Sequence, residues 1–112
     1  MRLLNLTRDT LLAERVHVAS TIGWRMRGLI GRRFEEFDGA AFPRCNAIHT
    51  CFMGMAIDVL FVASDGQVRA LRHGLAPWRL AGARRATWVA ELPAGTLART
   101  GTAPGDRVVL LP

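Results

Sequence analysis

Residues 45–63, CNAIHTCFMGMAIDVLFVA, set the tightest limit on what this chain can fold into. They contain the least polar run of the sequence, 59–63, together with both cysteines, His49 and a single acid, Asp58. A short continuous apolar run bounded by turn residues suits a fully buried strand. A carboxylate beside such a run must be paired, hydrogen-bonded or placed at a strand edge. The segment reads as a core hairpin. Its strands are 47–53 and 57–63, with a three-residue turn at Gly54-Met55-Ala56.

The flanking sequence supplies more strands and one principal helix. Strands are predicted at 2–6 and 11–18, separated by a turn at 7–10. Ser20 is a good N-cap, and Ile22, Met26, Leu29 and Ile30 form a helical apolar stripe over about 20–31. A short strand at 40–42 stops at Pro43. Asp65-Gly66 suits a hairpin turn between 57–63 and 68–71. Residues 75–85 read as a long connection, 86–92 as a strand, and 94–99 as a short helix opened by Pro93 and stopped by Gly101. A strand at 107–111 closes the chain. The expected fold is a single mainly β domain over 1–112, a small β-barrel or β-sandwich with the helix packed on it; the alternative class is α+β.

Composition narrows the function classes. Half of the 112 residues are hydrophobic, enough for a core without metals or bridges. Two cysteines do not make a disulfide scaffold. The N-terminal stretch lacks the apolar core of a signal peptide, and no apolar run has membrane-spanning length. The expectation is a soluble cytoplasmic protein with reduced thiols and no membrane partner. The formal charge is +6, and all fifteen basic residues are arginine. They are dispersed from Arg2 to Arg107, which suits a solvated surface better than a phosphate-binding patch. Nucleic acid is therefore not the expected partner.

Several short motifs then line up in order. Trp24-Arg25-Met26-Arg27-Gly28-Leu29-Ile30-Gly31-Arg32 looks like an Arg-x-x-Gly-Leu-Met-x-Arg helix motif, with Ile30 where Met is usual. Ile48-His49-Thr50-Cys51-Phe52-Met53 followed by Ile57-Asp58-Val59-Leu60-Phe61 resembles a Met…Leu-Asp-hydrophobic-Phe core motif. Ala90-Glu91-Leu92-Pro93-Ala94-Gly95 and Pro104-Gly105-Asp106 resemble a closing Glu-Leu-x-x-Gly…Gly-Asp signature. Together they are similar to the family called domain of unknown function 192. The resemblance implies a compact, mainly β domain with a helix across it, and no reaction.

The candidate site residues are Arg25, His49, Thr50, Asp58, Trp78 and Arg79. Arg25, from the covering helix, is a reasonable partner for Asp58; Thr50 could add a hydrogen bond if the hairpin pairs as drawn. The functional version is a polar pocket for an anionic ligand, and the structural version is a buried ion pair fixing helix on sheet. Trp78 and Arg79, on the 75–85 connection, suit either a binding anchor or a plug at one end of a barrel. Glu91 is read as a cap for the short helix.

On an extended strand Cys45, His49, Cys51 and Met53 would share one face, a row of soft metal ligands. Positions four apart on a strand are about 13 Å apart, so only His49 and Cys51 could converge on one ion. The same spacing argues against a Cys45–Cys51 disulfide. Core packing is the favoured reading, with no cofactor implied. The leading function is a non-enzymatic binding or accessory module for a small anionic molecule or a protein segment. The alternative is a metal-dependent or thiol enzyme, hydrolase-like, using His49, Cys51 and Asp58.

Overall fold

A computed structural model describes residues 1–21 and 34–112. The chain is mainly β, and its described residues form three open sheets. Strands β1 (Arg2–Asn5), β2 (Thr10–Ala13) and β10 (Val108–Leu111) form one, in the order β10-β1-β2. The largest holds β3 (Val16–Val18), β4 (Gly39–Pro43), β6 (Ile57–Val62), β7 (Val68–Leu75) and β9 (Trp88–Pro93), in the order β3-β4-β9-β6-β7. The third is a ribbon of β5 (Ala47–His49) and β8 (Leu80–Gly82). The described residues include one short helix, α1 (Thr96–Thr100), between Gly95 and Gly101, both at positive φ.

The five-stranded sheet is the middle layer, and its alternating side chains feed two cores. Leu60, Val62, Ala90 and Leu92 pack on one face against Leu3, Leu12, Val108 and Leu97, from the three-stranded sheet and α1. Ile57, Val59, Phe61 and Val89 pack on the other face with Ala40, Phe42 and Met53, beside Ile48 and Ala81 of the ribbon. All six residues of β6 are buried, because it lies inside the sheet, between β9 and β7, and is covered on both faces. That accounts for the continuous apolar run around Asp58. The architecture is sandwich-like, and among the described residues no sheet closes into a barrel.

Three stretches, 47–63, 11–18 and 68–85, differ from the sequence expectation. Residues 47–53 and 57–63 do not form a hairpin. β5 ends at His49 and pairs with β8, while β6 pairs with β7 and β9. Residues 11–18 are two strands in different sheets, split at Glu14-Arg15, whose backbone amides donate to Asp38. β7 continues four residues past Leu71, and the supposed connection 75–85 contains β8. The principal helix expected at about 20–31, with Arg25, falls mostly outside the described residues.

Candidate functional site

Chemistry-bearing residues gather where the loop after β5 meets the loop between β7 and β8. Thr50 is fully buried at that junction. Its hydroxyl donates to the Ala76 carbonyl at 2.6 Å and accepts from the Arg79 amide at 2.8 Å. Its backbone amide donates to the Arg79 carbonyl at 2.9 Å, and its carbonyl accepts from the Trp78 amide at 3.1 Å. One threonine thus fixes three residues of the 76–79 loop by main-chain and side-chain bonds. Sequence reasoning placed Thr50 beside Asp58. The structure gives its hydroxyl to the other loop instead, because β5 pairs with β8.

The brace displays two aromatic rings. Phe52 and Trp78 meet edge to face with centroids 4.6 Å apart, yet they are 67% and 58% exposed. Both have φ near +66°. Bulky L-residues in that region cost about 1–2 kcal/mol each. Leu80, 82% exposed, follows on β8 directly opposite His49. Trp78 therefore does not plug a barrel end; it stands in solvent. Phe52 was missed by sequence reasoning, which held 47–53 in a strand. Its signal was Gly54, two residues on, which suits a turn that begins earlier.

His49 lies on the exposed face of the ribbon, and its Nδ1 accepts the Cys51 backbone amide at 3.3 Å. Cys45 and Cys51 are free thiols, and Cys45 Sγ donates to the Ala47 carbonyl. Among the described residues, no three of His, Cys, Asp and Glu gather to hold a metal ion.

Asp58 is fully buried, and both its carboxyl oxygens accept main-chain amides. Oδ1 accepts the Gly74 amide at 2.8 Å; Oδ2 accepts the amides of Gly95 at 3.1 Å and Leu97 at 2.9 Å. Register slips opposite Asp58, between Ile57↔Leu75 and Val59↔Arg72, so β7 bulges there with Gly74 at φ +56°. The carboxylate fills the bulge on one side and the start of α1 on the other. Its oxygens are engaged with these amides and not with His49 or Cys51. Asp58 and Thr50 instead grip the chain on either side of Leu75, and so aim the Trp78 loop. Arg25, the sequence-predicted partner of Asp58, lies outside the described residues.

Glu91 does not cap α1. It sits within β9, opposite Ala40 and Val59, almost fully buried among apolar neighbours. Its Oε2 has no hydrogen-bond partner among the described residues. Burial pushes the carboxyl up to about 8, so it is mostly protonated at neutral pH.

Residues 4–110 match the model of domain of unknown function 192, described as an uncharacterised ACR. The chain belongs to that family. No curated protein matches. Two solved structures share the fold, each with a TM-score of 0.80. One, from Sinorhizobium meliloti, is described as a candidate transcription regulator; it is 28% identical, with 96% of this chain and 89% of that one covered. The other, from Novosphingobium aromaticivorans, is described as of unknown function; it is 22% identical, with 97% and 82% covered.

Proposed function

We propose that this protein is a non-enzymatic binding or accessory module. Its ligand, an anionic small molecule or a protein segment, docks on the surface formed by Phe52, Trp78 and Leu80 and is held at the rim by Arg79 and His49. The observation that carries this reading is the exposed aromatic pair at positive φ. Neither the backbone strain nor the exposure of two rings stabilises the fold, while the buried Thr50 brace holds both in place. Strain kept by an over-determined surrounding structure is characteristic of functional sites, and exposed Trp and Arg are common binding anchors. The regulator described for the Sinorhizobium relative is compatible with an accessory role. The enzyme reading through His49, Cys51 and Asp58 lacks support, since the Asp58 oxygens are occupied by three amides.

The test is a thermal-shift screen of small carboxylates, phosphates and short peptides, followed by titration of the hits. Trp78→Ala and Arg79→Ala should each weaken binding at least tenfold. Trp78→Gly should abolish binding yet change folding stability by less than about 1 kcal/mol, because relief of positive φ offsets the lost ring contact. Binding that survives all three substitutions removes the site. A loss of stability above about 3 kcal/mol in Trp78→Gly, as for a core aromatic, makes the ring structural instead.

A further inference from the structure

We propose that the outer edge of β8 takes up an extended acidic segment of a partner protein as an added strand. This rests on the binding reading above and commits it to one ligand class.

The register of the ribbon leaves that edge open. Ala83 donates to the Asn46 carbonyl and Thr50 to the Arg79 carbonyl, both at 2.9 Å, so even-numbered residues of β5 face odd-numbered residues of β8 in hydrogen-bonded pairs. By the antiparallel alternation, the N–H and C=O of Leu80 and Gly82 then point away from β5. Among the described residues, none bonds to them. On the β5 side the Ala47 carbonyl already accepts Cys45 Sγ, so β8 offers the freer edge. A peptide strand can satisfy the four main-chain groups of Leu80 and Gly82, and alternate side chains then meet the apolar surface beside it.

Charge chooses the partner. No acidic residue occurs between Asp65 and Glu91, while Arg69, Arg72, Arg79, Arg84 and Arg85 do. Arg79, Arg84 and Arg85, which flank β8, are all exposed. Such charges on an edge repel a second copy of the same edge and attract carboxylates. The aromatic geometry favours a peptide over single-stranded nucleic acid. Successive bases need separate open ring faces, whereas Phe52 and Trp78 cover each other edge to face, and the most exposed large apolar residue among those described, Leu80, is aliphatic.

The probe is a set of synthetic octapeptides alternating Asp or Glu with Val, Phe or Trp, measured by calorimetry against the full chain. An acidic alternating peptide should bind, and its Lys-containing counterpart should bind at least tenfold more weakly. N-methylation of alternate peptide amides should cost at least tenfold in one phase and little in the other, because only one set of amides faces β8. Arg84→Glu with Arg85→Glu should weaken binding about tenfold or more. Equal loss from both methylation phases, or none from either, overturns strand addition. Trp78-dependent binding of a small anion or an oligonucleotide without peptide binding overturns the peptide proposal but leaves the binding site standing. Failure of every probe to bind overturns both.

Discussion

Glu91 shows what a single residue can hide in a sequence. Beside Leu92-Pro93 it reads as a cap for the following helix, yet the strand alternation puts it on the same face as Val89, inside the second core. Its raised titration, to about 8 against an ordinary 4.5, comes from burial. The unfolded chain releases this proton well before the folded one. The stability Glu91 permits is full below about pH 4.5 and is lost progressively as pH rises toward about 8. Glu91→Gln carries no charge at any pH. It should flatten that part of the pH–stability profile and gain on the order of 5 kcal/mol on wild type across the interval. Urea unfolding at a series of pH values reads this directly; parallel wild-type and variant profiles would show that Glu91 is ionised in the fold.

At the scale of elements, Asp58 joins three of them: β6 carries it, β7 bulges around it, and α1 begins on it. Removing the carboxylate leaves three amides without their acceptor, that of Leu97 buried and those of Gly74 and Gly95 partly so. Asp58→Ala should cost about 3–5 kcal/mol, and Asp58→Asn, which keeps an acceptor, less. A second consequence is local. Amide exchange should rise at Gly74, Gly95 and Leu97, and protection of the Trp78 and Arg79 amides should fall with it. Exchange confined to α1 would separate the bulge from the loop and deny Asp58 any part in aiming Trp78. The sequence marked Asp58 as a buried acid needing partners. It could not name them, because backbone amides more than fifteen residues away leave no signature in composition or spacing.

Across the whole molecule, the two ends of the chain lie side by side, Arg2 opposite Leu111. Asp106 locks this closure. Its Oδ2 accepts Asn5 Nδ2 at 3.0 Å, Arg8 Nε at 2.6 Å and the Ala103 amide at 3.0 Å. Burial alone would raise the carboxyl, but the bonds from Arg8, Asn5 and Ala103 outweigh it and hold Asp106 below its ordinary range. The stabilisation is therefore present above the usual carboxylate range and is lost as pH falls through it. Asp106→Ala should lower stability by about 2–4 kcal/mol at neutral pH, and the deficit should shrink in acid, as followed by thermal unfolding at several pH values. An unchanged deficit at low pH would assign the loss to packing.

What the amino-acid order determined was local. The apolar run of β6 required burial on both faces; Asp65-Gly66 required a tight turn; Pro93 and Gly101 bracketed a short helix; and the ordered motifs pointed to the family. Period and turn chemistry act over a few residues, so one sequence is enough to read them. Strand partnership belonged to the tertiary structure. β5 lies next to β6 in the chain but pairs with the more distant β8, and that choice gave the Thr50 hydroxyl to Ala76 and Arg79 and brought Phe52 against Trp78. A strand edge can be satisfied by any other edge of matching length. The selection is made by which side chains the assembled layers can bury, and that is a property of the whole chain.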